Sequence, residues 1–168
     1  RLVNLHGRGD RVVCTQCGMF INRAELHKKL TELNPGWTER HVADAEIAPD
    51  ADAAIADTAG FVVADCPRCG GILRTDVVFF GGTVRKDDIE EGRAICAQSD
   101  ALLIAGSSLS VASAMRFVRE TAKVGQPIVI INRGTTRGDK FADEHVYMGT
   151  SRALPYLDVT LRNPKDLL

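Results

Sequence analysis

Four of the five cysteines form two pairs, Cys14-Thr-Gln-Cys17 and Cys66-Pro-Arg-Cys69, with 48 residues between them. A C-x-x-C turn puts two thiolates on one side of a tight loop, and two such turns supply the four sulfurs of a tetrahedral zinc site. Gly18 follows the first pair and Gly70-Gly71 the second. Glycine there lets backbone amides come close to the sulfurs. Disulfides would suit a secreted chain, but no charged-then-apolar signal segment is visible. A redox C-x-x-C needs one motif after a strand, not two that match. The expectation is therefore structural Zn2+ on Cys14, Cys17, Cys66 and Cys69. A site closed by four sulfurs has no open position for chemistry. Cys96, between Ile95 and Ala97 in a helical pattern, reads as a small buried apolar residue.

A second chemical candidate is His6, in Asn4-Leu5-His6-Gly7. A histidine can take up and release a proton near neutral pH. On the residues alone, a solvated loop histidine is the simpler reading. His27, His41 and His145 read as surface or packing residues.

These groups need a scaffold. The chain has 168 residues, 21 Lys+Arg against 22 Asp+Glu, and 45% hydrophobic residues. That length fits one domain, or one domain with a small module, and the apolar fraction supports a packed core. A near-neutral balance gives no basic footprint for nucleic acid. No apolar run approaches the roughly 18 residues of a membrane span.

Asn22 to Leu33 has Leu26, Leu30 and Leu33 at helical spacing, Asn22 as a cap, and Asn34-Pro35-Gly36 as a stop. Trp37 to Gly60, rich in Ala and Asp, reads as an insertion that is partly loop. Asp76 to Phe80 reads as a short buried strand broken by Gly81-Gly82, and Asp87-Asp88 open a helix to about Gln98. Strand and helix then alternate. Ala101–Ala105 reads as a parallel strand covered on both faces. Val111 to Val124 reads as a helix with Met115, Val118 and Ala122 as its stripe. Ile128–Ile131 is a second buried strand, and Val146-Tyr147-Met148 a last short one before a helix from about Ser151. Ligands of such sheets bind at the carboxyl ends of the strands. Three polar, glycine-bearing turns fall there: Gly106-Ser107-Ser108, Asn132-Arg133-Gly134 and Gly149-Thr150-Ser151. A helix N-terminus behind such a turn suits a phosphate, although strand–turn–helix junctions favour Gly and Ser in any case.

Taken in order, Asn4-Leu5-His6-Gly7, the two C-x-x-C pairs, Gly70 to Gly81, Gly106-Ser107-Ser108-Leu109 and Ile131-Asn132 resemble the sirtuins, the NAD-dependent protein deacylases. The long gap between the cysteine pairs, Asn34-Pro35-Gly36-Trp37 and Thr136-Arg137-Gly138-Asp139 look most like the class II branch. The resemblance covers residues 1 to 157. It implies an α/β fold: the C-terminal part of a Rossmann-like parallel sheet over 1–10 and 72–168, with a small four-cysteine zinc-binding module over 11–71. The sirtuin Gly-Ala-Gly-x-Ser and Gln-Asn-x-Asp motifs precede Leu-His-Gly and are absent here. The chain opens at Arg1, with Arg1–Leu5 reading as a strand in progress. It is therefore expected to be a C-terminal portion, inactive alone.

The resemblance also implies roles. His6 would be the general base of a reaction in which an acyl-lysine carbonyl oxygen displaces nicotinamide from NAD+. The products would be free lysine and O-acyl-ADP-ribose. Gly106, Ser107 and Ser108 would contact the NAD phosphates and ribose, Asn132, Arg133 and Gly134 the adenosine ribose, and Thr150 the adenine side. Val78, Phe79, Phe80 and Gly81 would pair with an acylated-lysine peptide by strand addition; plain core packing is the alternative for the first three. Gly82 and Arg85 depart from the family pattern, in which an acidic or amide residue and then a proline are usual. Alternative functions are ADP-ribosyl transfer to protein, or an inactive zinc-stabilised binding module. The expected location is the cytoplasm of a bacterium.

Overall fold

Gly7 to Cys14 forms the first strand, β1, the central strand of a three-stranded sheet. A computed structural model describes residues 1–41, 46–47, 53–55 and 58–162. Contacts divide the chain into two compact units, His6–Gly82 and Arg1–Leu5 with Thr83–Leu168. The sequence places the boundaries at 1–10, 11–71 and 72–168; the compact unit is wider because β1 pairs with a strand beyond residue 72.

In the first unit, β1 lies between β2 (Phe20–Asn22) and β5 (Leu73–Val77), antiparallel to both. Arg11 on β1 reaches Asp76 on β5, Nε to Oδ2 at 2.5 Å, and its guanidinium lies 4.1 Å from the ring centroid of Phe20 on β2. One side chain thus spans the sheet, and the buried Asp76 carboxylate has its counter-charge. Helix α1 (Arg23–Leu33) starts at Asn22, whose Oδ1 accepts from the Ala24 amide at 2.8 Å. It stops at Asn34, which is buried. The Asn34 Nδ2 donates to the Leu30 and Val62 carbonyls, both at 2.8 Å, and its Oδ1 accepts from the Val62 amide at 2.6 Å. One side chain satisfies both backbone groups of Val62, as a neighbouring strand would. Helix α2 (Trp37–His41) follows, with Trp37 stacked on His41 and edge-on to Phe61. Of the Ala/Asp-rich insertion, α2 and a short pairing of β3 (Glu46–Ile47) with β4 (Ala53–Ala54) are described; 42–45, 48–52 and 56–57 lie outside the described residues.

The second unit has three parallel strands in order: β6 (Leu102–Ala105), β7 (Ile128–Ile131) and β8 (Glu144–Val146). Helix α3 (Lys86–Ala97) precedes β6, and α4 (Ala112–Lys123) joins β6 to β7. Helix α5 (Thr150–Arg162) follows β8. Ile104, Leu109, Met115, Val118, Ile128 and Ile130 form the core. Burying a side chain such as Val118, Ile128 or Ile130, each at most 1% exposed, is worth about 1.5–3 kcal/mol. Helices α3 and α4 approach closely at Gly92, where a Cβ would stand 2.9 Å from the Phe117 ring. The Asp143 carboxylate accepts from the Ile128 amide and its own amide donates to the Ile128 carbonyl, closing the start of β7.

Several elements differ from the sequence reading. Arg1–Leu5 forms no strand; it lies with the second unit, Arg1 donating to Gln98 Oε1 at 2.9 Å. The strand read at Asp76–Phe80 is Leu73–Val77, because the β1–β5 register ends at Gly7 opposite Val77. The chain then turns, with Gly81 at φ +81° and the Gly82 amide bonded to the Phe79 carbonyl at 2.9 Å. On β6, Ile104 is buried and Leu103 is 51% exposed. The last strand ends at Val146, two residues before the expected end, with its register set by β7. On α4 the fully buried stripe is Met115, Val118 and Thr121, with Ala122 half-buried. Cys96 is half-buried, not core.

Candidate functional site

The two cysteine turns are built alike. In each, the first cysteine's amide donates to the carbonyl five residues on, Cys14 to Met19 and Cys66 to Gly71, both at 2.9 Å. In each, its carbonyl accepts from a glycine four residues on, Gly18 at 3.1 Å and Gly70 at 2.8 Å. Those glycines sit at φ +68° and +69°, where other residues are strained. The turns are joined by the Thr15 amide, which donates to the Ile72 carbonyl at 2.9 Å. The four Sγ atoms lie within 4.8 Å of one another. Cys14 and Cys69 are 3.5 Å apart, Cys17 and Cys66 3.7 Å. A tetrahedron with Zn–S near 2.3 Å has edges of about 3.8 Å, so the donor set and spacing fit zinc. Gly71 stands where a Cβ would lie 3.0 Å from the Cys14 sulfur. Among the four thiols alone, bonds from the Cys17 and Gln16 amides outweigh desolvation and lower Cys14 to about 6. The Gly71 amide pulls Cys69 down, but the neighbouring Cys17, Cys14 and Cys66 prevail and hold it at about 12. Crowded sulfurs share protons in this way, and a dication that displaces them resolves the conflict.

The three polar turns converge at the carboxyl edge of the parallel sheet. Gly106 takes φ +65° directly after β6, its amide donating to the Ile131 carbonyl at 2.9 Å. A Cβ there would stand 3.2 Å from Thr150 Cγ2, so the first turn touches the third. A Cβ on Gly149 would stand 2.9 Å from Arg133 Nε, so the third touches the second. The Asn132 amide donates to the Val146 carbonyl at 3.1 Å, and its side chain closes the second turn on the Gly134 carbonyl at 2.9 Å. Ser107 Oγ accepts from the Leu109 amide at 3.2 Å, and the Ser108 and Ser110 hydroxyls are 2.9 Å apart. Behind them α4 begins at Val111 with no side-chain cap and no acidic residue in its first turn. The first-turn backbone amides and the positive end of the helix dipole favour an anion there. Helix amides, hydroxyls and the Arg133 guanidinium together suit a phosphorylated, hydroxyl-rich ligand.

His6 is exposed and belongs to the other unit. Its carbonyl accepts from the Val78 amide at 2.9 Å, which ties the histidine segment to the Val78–Gly81 stretch. Gly7 is sterically fixed: at φ +83°, a Cβ would lie 2.0 Å from the Asp76 carbonyl oxygen. Val78 is half-buried, while Phe79 is 69% and Phe80 100% exposed, so buried packing does not account for that pair. Among the other histidines, His27 is exposed. His41 stacks on Trp37, and His145 stacks on Tyr147 with Nδ1 3.2 Å from Asp139 Oδ1. The Arg11–Asp76 pair and the Asn34 bridge went unread in the sequence; their only signal is a charge on each of two strands and an amide at a helix stop.

This architecture is an α/β protein of Rossmann-like class with an inserted four-cysteine module. The Sir2 family model matches residues 1–113, and the chain belongs to the Sir2 family. It is 47% identical over 158 residues to the NAD-dependent protein deacetylase 1 of Mycobacterium avium, covering 93% of this chain and 56% of that protein. It is 43% identical over 155 residues to the NAD-dependent protein deacetylase 1 of Streptomyces coelicolor, covering 91% and 51%. The chain spans about half the length of the curated relatives it matches. Among solved structures, it resembles Sir2 bound to acetylated peptide, with a TM-score of 0.67 at 20% identity, covering 98% of this chain and 56% of that one. It also resembles Sir2Tm bound to a propionylated peptide, with a TM-score of 0.66 at 21% identity, covering 98% and 56%. No helix among the described residues is long and apolar enough to cross a membrane.

Proposed function

We propose that the protein carrying this chain is a cytoplasmic NAD-dependent protein lysine deacylase, and that zinc on Cys14, Cys17, Cys66 and Cys69 holds the 11–71 module in shape. The carrying observation is the convergence of the Gly106, Asn132 and Thr150 turns at one sheet edge in a chain of the Sir2 family. The names of the Mycobacterium and Streptomyces relatives support the same activity. NAD+ supplies the activated ribose that accepts the acyl group. Gly106, Ser107 and Ser108 hold its phosphates and ribose against the α4 amides. Asn132, Arg133 and Gly134 bind the adenosine ribose, and Thr150 lies on the adenine side. His6 acts as the base that takes the ribose hydroxyl proton, and exposure lets it exchange that proton with water. Val78 to Gly81 receives the acyl-lysine peptide as an added strand. The Val78 amide and Phe79 carbonyl are already engaged by His6 and Gly82, so pairing uses the remaining backbone groups of that stretch.

The test uses the full-length protein and an acetyl-lysine peptide. Nicotinamide release is expected only with both peptide and NAD+ present, and about 10²–10⁴-fold slower in His6→Ala. Undiminished turnover in that variant removes His6 from the role of base, and absence of any NAD-dependent release removes the activity.

A further inference from the structure

The turns after β6 and β7 are fastened to each other by contacts that the sheet ladder does not require. The Arg137 amide donates to the Ser108 carbonyl at 3.1 Å, and Arg137 Nη1 donates to the Ser110 carbonyl at 3.2 Å. Between those two carbonyls lies Leu109, at φ +53° the only non-glycine residue in the left-handed region among the described residues. It is also 4% exposed. A leucine holds that conformation only where its surroundings impose it. Gly138 is one wall of that surrounding: a Cβ there would lie 2.3 Å from Leu109 Cδ1 and 3.2 Å from Ile130 Cδ1. Its own φ of −88° is ordinary, so space rather than backbone conformation demands the glycine.

Asp139 shapes this wall. Both carboxylate oxygens accept from the Thr136 amide at 3.1 Å, and Oδ1 accepts from Thr136 Oγ1 at 2.5 Å. Thr136 Oγ1 in turn accepts from the Gly138 amide at 3.1 Å. His145 on β8 brings Nδ1 to 3.2 Å from the same carboxylate. The carboxylate is thus the hub that folds 136–138 and aims the Arg137 amide at Ser108.

We infer that Asp139 and Arg137 are positioning residues for the cofactor turn: by latching Ser108 and Ser110 they hold Leu109 left-handed, which sets the Ser107 and Ser108 hydroxyls and the open end of α4 for the NAD phosphates. The inference rests on the proposed NAD role of that turn. A purely structural latch would lower the melting temperature alone. A positioning latch acts on NAD affinity and leaves the acyl-peptide constants in place.

The experiment compares Asp139→Ala, Gly138→Ala, Arg137→Ala and Arg137→Lys with the unaltered full-length protein, at a temperature where circular dichroism shows each folded. It measures kcat, KM for NAD+, KM for the acetyl-lysine peptide, and Kd for ADP-ribose by calorimetry. Asp139→Ala is expected to raise the NAD+ KM and the ADP-ribose Kd about tenfold or more, the scale of losing bonds to a charged group, with kcat and peptide KM within about twofold. Gly138→Ala moves the same constants the same way from the other side of Leu109, and Arg137→Lys recovers most of what Arg137→Ala loses. Folded variants with unchanged NAD+ KM and ADP-ribose Kd overturn the inference. Should Asp139→Ala fail to fold, Gly138→Ala and Arg137→Ala decide it by the same constants. If the unaltered protein binds ADP-ribose but releases no nicotinamide, the deacylase reading falls and the latch is still judged by the ADP-ribose constants. If it binds neither, both fall.

Discussion

The two units are held together by different forces. The parallel-sheet unit rests on an apolar cluster in which Ile128, Ile130 and Val118 are almost wholly out of water. The cysteine unit buries Val12 and Val13, two of its cysteines, and the polar Asn34 and Asp76, while Val62, Val63, Ile72, Phe79 and Phe80 stay exposed. Its order comes from paired polar groups and from four sulfurs aimed at one point. A small unit without a sufficient core needs such a staple. The difference teaches where each unit breaks: one when its side chains are trimmed, the other when its metal is withdrawn.

Removing the metal should have the largest effect. Structural zinc contributes on the order of 10–16 kcal/mol of folding free energy in small zinc domains. Chelation, or Cys14→Ala, is expected to abolish amide protection across β1, β2 and β5 in hydrogen exchange while β7 stays protected. Uniform loss across both units would erase the distinction drawn above. Ile130→Ala probes the other side and should cost about 2–5 kcal/mol in denaturant unfolding of the parallel-sheet unit, with metal content unchanged near one equivalent. Loss of metal in that variant would mean that the units do not break separately. Asn34→Ala strips both backbone groups of Val62 of their partner and is expected to cost about 1–3 kcal/mol, with exchange rising first around 61–64. A well-protected Val62 amide in that variant would contradict the strand-like role of Asn34.

The smallest effect is a pH dependence in the parallel-sheet unit. Bonds from the Thr136 hydroxyl and amide hold the Asp139 carboxyl below its ordinary value. The folded state then takes up that proton less readily than the unfolded chain, so the stability it lends is complete at neutral pH and is lost as pH falls through the acidic range. Asp139→Asn should flatten the acid limb of the melting profile slightly, and an identical limb would remove Asp139 from it.

Much of this division was legible in residue types. The four ligands are visible because C-x-x-C with trailing glycines is a local pattern whose geometry needs nothing distant. The cap at Asn22 and the apolar stripe of α4 are local too. The Rossmann-like order followed from alternation and from the family resemblance. What failed to show depended on partners far along the chain. Asp76–Phe80 looks like a strand by composition, but β5 stops at Val77, where β1 runs out at Gly7. Nothing in Ser-Ser-Leu-Ser announces a left-handed leucine, because Gly138 and Arg137 impose it from nearly 30 residues away.

The near-identity of the two cysteine turns has a consequence for the segment between them. Each turn is a finished two-sulfur claw, folded by bonds within itself, and the metal needs only the two claws to meet. The intervening 48 residues then act as a closed loop, and the entropy of closing a loop grows only with the logarithm of its length. Doubling it costs roughly 0.6 kcal/mol, small beside the bond between claw and metal. Insertions and deletions between Leu33 and Cys66 that spare Asn34 and Val62 should therefore leave metal affinity almost unmoved. This is the stretch of the chain where length can drift and new surface can be added without retuning the fold.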